Sequence, residues 1–319
     1  MIKNVFDFID KCRMMKIIEK RINPSNLAII DSFKPQNKLV YTSFDGDYMN
    51  YLHHMQEYSM MREFTPINPE AALGYYVSTV SHHGKKVPVM MDCIKTELLC
   101  DYLWIFNPHS GHISEGVLAE LMIWINEKKT DVSIIDFFPE HINQIDTYGS
   151  FHVKTLNHDD ILSLLKKRTE DEIWEINEKL LIPYQKLKLE NAYIISNFKN
   201  YKHIDWARNF CYLRHLAPVC SQTLLPYYLY NNPKYGNRKY IIDRLNILRR
   251  SDNILLFLNK NKLEDELQNL DEFSLCEIYY IIKYMPNKSF NIVGWDEALV
   301  PKYSNKKEWA LTSIESTEV

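Results

Sequence analysis

The chain has 319 residues, 46% of them hydrophobic and 25% charged, with a formal net charge of -3. That length suffices for two ordinary domains with real cores. The near balance of charge excludes a global basic field that would draw the chain to nucleic acid or anionic lipid. No apolar run approaches the roughly 18 residues a membrane helix needs, and the opening Met1–Asp10 mixes charge into its apolar residues, unlike a signal peptide. The six cysteines (Cys12, Cys93, Cys100, Cys211, Cys220, Cys276) form no CxxC pair, so they read as reduced thiols of a cytoplasmic protein.

In chain order, residues 1–37 read as a helical extension. Leu39–Phe44 is the first strand. Apolar residues Tyr48, Leu52, Met55 and Met60 recur at helical spacing and predict a helix over 48–63. Phe64–Pro69 is a short strand, 87–100 a helix, and Tyr102–Asn107 a near-continuous apolar strand of the kind buried on both faces of a parallel sheet. Gly116–Lys128 is the next helix and Asp131–Phe137 another strand. Strand and helix thus alternate over 38–139, which predicts a doubly wound parallel sheet. Residues 140–190 are charge-rich and read as a helical connector. At Asn191–Phe198 the pattern restarts and runs through 191–319.

The restart repeats the first half. Pro66 and Pro218 lie 152 residues apart, as do Tyr75-Tyr76 and Tyr227-Tyr228; Asp92/Asp243 and Asp101/Asp252 lie 151 apart; Glu115, Leu118 and Glu120 match Glu272, Leu275 and Glu277 at 157. A period this long indicates tandem domains, not a solenoid. The expected architecture is therefore α/β, with two Rossmann-like parallel-sheet domains in tandem joined by a helical connector.

The chemistry concentrates in Asp92–Phe106 and Ser114–Leu121. A helix beginning near Gly116 would point amide groups into a crevice at the carboxyl end of a strand, and a glycine there lets backbone approach a ligand. Glu120, one turn in, is expected to stay ionised and to attack an electrophilic sugar carbon. Asp92, on the neighbouring helix, would donate a proton or orient a leaving group. One attacking and one proton-handling carboxylate are what retaining glycosidic cleavage requires.

Ser114-Glu-Gly116-Val-Leu-Ala-Glu120, following an "Asp, helix, Asp, buried strand" segment, resembles the signature of the nucleoside 2-deoxyribosyltransferase superfamily, which includes the 2'-deoxynucleoside 5'-phosphate N-hydrolases. The resemblance implies Glu120 as nucleophile, Asp92 as acid or base-orienting group, Ser114 facing a 5'-phosphate or sugar hydroxyl, and Tyr41 as the aromatic near the sugar. It implies no metal or organic cofactor, a nucleoside or nucleotide as the small-molecule partner, and either a homo-oligomer or a protein regulator as macromolecular partner. It covers residues 38–138 well and 191–296 as a degenerate copy, in which Asp271 and Phe273 replace the serine and glycine while Glu277 survives. Copy two is therefore expected to be inactive, a built-in pseudo-dimer partner. Two departures stand out. Asp45 and Asp47 would repel a phosphate beside the first strand, and the loop Asn107–Ile113 is long.

Other features read as structural. Asp101 precedes a buried strand and points away from the carboxyl edge; Glu115 complements a helix amino end; Arg249-Arg250 read as solvated. His82-His83 and His109/His112 are histidine pairs of polar loops, more simply read as loop residues than as metal ligands. Three alternative functions remain: cleavage of NAD at its nicotinamide-ribose bond, as a defence-type effector; nucleotide sensing without catalysis; and a structural partner whose helices matter more than its crevice.

Overall fold

The structure is a computed structural model. It describes residues 3–4, 11–36, 38–74, 86–108, 113–128, 132–137, 152–165, 190–197, 201–225, 236–259, 262–288 and 290–295. In chain order these form β1 (Lys3–Asn4), α1 (Lys11–Arg21), α2 (Pro24–Asp31), β2 (Leu39–Phe44), α3 (Leu52–Met61), β3 (Thr65–Ile67), α4 (Lys86–Glu97), β4 (Tyr102–Pro108), α5 (Glu115–Glu127), β5 (Val132–Phe137), β6 (His152–Leu156) and α6 (His158–Leu165). Then follow β7 (Glu190–Ser196), α7 (Tyr201–Tyr212), β8 (Leu216–Cys220), α8 (Gly236–Arg250), β9 (Asn253–Asn259), α9 (Leu263–Asn269), α10 (Glu272–Tyr284) and β10 (Phe290–Trp295).

Two compact units result, one of Gln36–Ala71 and Lys85–Leu189, the other of Met1–Pro35, Ala72–Gly84 and Glu190–Val319. Each holds one five-stranded sheet, ordered β3-β2-β4-β5-β6 in the first and β8-β7-β9-β10-β1 in the second. The alternation of strand and helix gives the α/β class that the sequence predicts. A wholly parallel sheet does not form: β6 pairs antiparallel with β5, and β1 antiparallel with β10. Both are edge strands with one neighbour, and of β6's residues Leu156 is buried while Lys154 and Thr155 are exposed. Such a strand carries little apolar signal, so 140–190 reads as a helical connector although it supplies this edge. The helix that follows, α6, is closed by a reciprocal cap: Asp160 N donates to Asn157 Oδ1 at 2.9 Å and Asn157 N to Asp160 Oδ2 at 3.1 Å.

The repeat extends to register. Leu39, Val40 and Tyr41 stand opposite Thr65, Pro66 and Ile67; Asn191, Ala192 and Tyr193 stand opposite Ala217, Pro218 and Val219. Asp101 accepts from Leu39 N at 3.0 Å and Asp252 from Asn191 N at 3.0 Å, so each ties the amino ends of two parallel strands together, the structural role expected of Asp101. The helix-to-strand turns carry the left-handed residues Glu63 (φ 63°) and His215 (φ 56°) at matched positions. The cores match too. Tyr58 meets Phe106 edge-to-face at 6.0 Å with Arg62 over its ring; Phe210 meets Phe257 edge-to-face at 5.5 Å with Arg214 over its ring.

Residues 1–35 belong with the second sheet. Arg21 donates to the carbonyls of Leu267 and Leu270, each at 2.8 Å, and Glu272 accepts from Asn23 N and Asn26 Nδ2. Asn23 caps α2, with Pro24 at its first position.

Candidate active site

In the first unit the central strand order is β3-β2-β4. The chain steps outward from β2 to β3, then crosses back to β4. The carboxyl ends of β2 and β4 thus flank a topological switch point, where open α/β sheets bind ligands. Helix α5 begins after β4, and all its residues from Val117 to Ile125 are buried. A helix so enclosed buries whatever polar residue it carries, and that residue is Glu120, only 6% exposed.

Glu120 is held by β2. Tyr41 Oη donates to Oε1 at 2.7 Å and Ser43 Oγ to Oε2 at 2.5 Å. Tyr41 and Ser43 lie two apart on the strand and so project from the same face. Burial pushes Glu120 up to about 7, with the hydrogen bonds from Ser43 and Tyr41 opposing the rise. This changes the expectation of a permanently ionised side chain: near neutrality the carboxyl is poised between its two forms. Burial, followed by the charge on Glu120, pushes the Tyr41 hydroxyl well up, so it remains a donor.

Three further ionisable groups gather here. Glu70 follows β3; burial, then the charge of Glu120, raises it to about 7, and its Oε2 is buried with no hydrogen-bond partner. Glu97, at the end of α4, is 0% exposed, and neither of its oxygens has a hydrogen-bond partner. Burial and then Glu120 hold it well above the usual carboxylate range, against the pull of Lys128. The Cys93 thiol, also on α4, is raised by burial and then by Glu120, Glu70 and Asp92. Four like-charging groups in one dry place cannot all ionise near pH 7.

Asp92 is buried at 4% exposure, one residue from Cys93, and its carbonyl accepts from Thr96 Oγ1 at 2.8 Å. Its charge is felt at Cys93; the residues bonded to Glu120 are Tyr41 and Ser43. Ser114 is the N-cap of α5, half-buried, with no capping bond from its side chain. Gly116 lies in the first turn, where an added Cβ would meet only Met90 Sδ at an ordinary 3.5 Å. Neither a positive φ nor a crowding neighbour in the chain requires a glycine there. Glu115 is exposed in the same turn. The histidines at 82, 83, 109 and 112 lie outside the described residues, among which no three His, Cys, Asp or Glu side chains group to hold a metal ion. Five cysteines (93, 100, 211, 220, 276) are free and buried, and among the described residues no helix is long and apolar enough to cross a membrane.

The matched place in the second unit is built differently. Tyr193 donates to Glu277 as Tyr41 does to Glu120. Arg244, standing where the first copy has Cys93, then forks onto the carboxylate, Nε to Oε1 at 2.6 Å and Nη2 to Oε2 at 2.9 Å. Burial opposes the charge on Arg244, but Glu277, together with Tyr240 and Tyr193, more than restores it, so the guanidinium is held charged. Ile195 replaces Ser43. Phe273, in the place of Gly116, packs edge-to-face on Tyr240 at 4.8 Å, with Arg244 over both rings. Charge and space are both filled.

Ser43, Glu70, Cys93 and Glu97 were not among the sequence-predicted site residues. Position-by-position comparison of the copies is the signal that marks them: Ser43 against Ile195, Glu70 against Gln222, Cys93 against Arg244, Glu97 against Leu248. No family model, curated protein or solved structure matches the chain.

Proposed function

We propose that the first unit is a Rossmann-like, deoxyribosyltransferase-like domain that cleaves the base-sugar bond of a nucleoside or nucleotide, with Glu120 as nucleophile. The observation that carries this reading is the buried Glu120 carboxylate, held by the hydroxyls of Tyr41 and Ser43 at the switch point of a largely parallel sheet. Two donors fix its oxygens and stabilise its anion, while burial leaves it basic enough to bond to carbon. An anion in a low-dielectric pocket also stabilises the oxocarbenium-like transition state of glycosidic cleavage.

In this reading Glu120 attacks C1', the base departs, and water or a second base resolves the glycosyl-enzyme. Asp92 orients the base, and Ser114 and Gly116 border the sugar. The second unit, with its carboxylate tied to Arg244 and its glycine replaced by Phe273, is a non-catalytic copy. The test is release of free base from a panel of nucleosides, 5'-monophosphates and NAD. Wild-type protein is expected to release base, and Glu120→Gln to abolish release while retaining the native near-UV circular dichroism. Tight binding of a panel member with no base release would replace this reading by a sensing module.

A further inference from the structure

A departing purine or pyrimidine takes the electron pair of the glycosidic bond onto nitrogen and needs a proton there. Glu120, as the attacking anion, cannot supply it. We propose that Glu70 is the proton donor to the leaving base, so that this site carries the acid that neutral N-glycosides require and that pyridinium nucleotides such as NAD do not use. This rests on the reading of Glu120 as nucleophile.

Position supports it first. Asn68 Nδ2 donates to Thr42 O at 3.1 Å and Asn68 Oδ1 accepts from Ala71 N at 3.1 Å, which fastens the start of the Glu70 turn to the strand residue beside Ser43. Glu70 opens a short helical turn that follows β3. Satisfaction supports it second. Glu70 Oε2 is buried without a partner, and Glu97, which like Glu70 feels the charge of Glu120, is fully buried with both oxygens unpartnered, so the surroundings of Glu120 hold acids prepared to carry protons, not a finished hydrogen-bond network. The second copy supplies the third argument. At the place of Glu70 it has Gln222, of the same shape but unable to carry an acidic proton. Gln222 is tied down there, Nε2 donating to Ser196 O at 2.8 Å and Oε1 accepting from Ser196 Oγ at 3.3 Å. The copy whose Glu277 is neutralised by arginine has thus also lost the titratable partner.

The two carboxyls drive each other. The negative charge of Glu120 helps to raise Glu70. As a Glu120 oxygen bonds to C1' and the C1'–N bond breaks, that charge disappears into an ester, the acidity of Glu70 rises, and its proton passes to the base nitrogen. Glu70 is left as a carboxylate. It then takes a proton from water, or from the N–H of a second base, as that nucleophile attacks C1' and expels the Glu120 carboxylate. Both groups return to their starting forms. Nicotinamide, by contrast, leaves a cationic ring nitrogen as a neutral molecule and needs no proton.

The test uses the full chain as wild type, Glu70→Gln and Glu120→Gln. Each is given neutral nucleosides and 5'-monophosphates, and then NAD and 7-methylated purine nucleosides, whose cationic bases leave unprotonated. Glu70→Gln is expected to lose roughly 10²- to 10⁴-fold in kcat/KM on the neutral substrates. On the cationic ones it should keep its rate within about tenfold, since no general acid is used there. The retained cationic reaction also proves the variant folded. Equal loss on both classes, or no loss on the neutral class, would overturn the proposal. Release that survives Glu120→Gln but shows the selective Glu70→Gln loss would remove the nucleophile and keep the donor. A wild type that releases no base from any substrate overturns both.

Discussion

The two copies bury the same carboxylate at the same point of the same sheet order and treat it in opposite ways. In the second unit Glu277 meets a forked arginine and a tyrosine, and Phe273 and Tyr240 pack around them. In the first, the partners of Glu120 among the described residues are two hydroxyls, with further carboxyls around it and a glycine where the phenylalanine would be. A buried acid given a full counter-charge is a finished structural element; one left half-satisfied keeps a proton that can move. Proteins keep such unfavourable arrangements where function repays them.

The largest test of the contrast is kinetic. Glu120→Gln should lower base release by roughly 10⁴-fold or more, and Glu277→Gln should leave it unchanged; equal losses would break the asymmetry. Next comes stability of the second unit. Arg244→Met strands a buried carboxylate and should cost about 3–5 kcal/mol in urea unfolding, whereas the double change Arg244→Met/Glu277→Leu should recover most of it. An unrecovered double variant would mean that the arginine serves packing rather than charge.

The pH response is third. Glu120 has a folded-state pKa raised from 4.5 to about 7. The folded chain therefore holds this proton more tightly than the unfolded one. Its contribution to stability is full below pH 4.5 and is lost as pH rises through 7. Glu120→Gln should be near neutral in stability at pH 4.5 and should stabilise the first unit by on the order of 3 kcal/mol at pH 8. A pH-independent difference would place the carboxyl in water. The smallest expected effect is that of Glu97→Leu, which copies Leu248 of the second unit. Removing a fully buried carboxyl without hydrogen-bond partners should stabilise by about 1–3 kcal/mol and sharpen the view that the first copy concentrates its cost around one site.

Much of this was legible in the residues. The glycine-led helix and the first strand are where the sequence pattern puts them, and Glu120 on α5 meets Tyr41 on β2 at 2.7 Å. The repeat was visible in its spacings. What escaped notice depends on crossovers. Glu70 and Glu97 sit at the ends of short elements far apart in sequence, and no local period marks an acid that tertiary packing will bury. Ser43 lies in the predicted first strand, but nothing local marks its hydroxyl as the one that bonds Glu120. The inactivity expected of copy two was argued from Phe273. The arginine that neutralises Glu277, Arg244, lies two helices away from it and needed coordinates. The edge strands β1 and β6 were missed because two and five residues with one neighbour need little hydrophobicity.

The arrangement of Arg21 on the Leu267 and Leu270 carbonyls, with Asn23 and Asn26 on Glu272, sets an order for biosynthesis. Residues 21–26 wait for residues 267–272, across the whole of the other unit. A nascent chain arrested after residue 189 already contains every residue of the Glu120 unit and none of the helix that receives Arg21. Protease treatment of such arrested chains should find that unit resistant and residues 11–31 cleaved, with protection arriving only once α10 has emerged. Early resistance of 11–31 would mean that these helices have another resting place during synthesis.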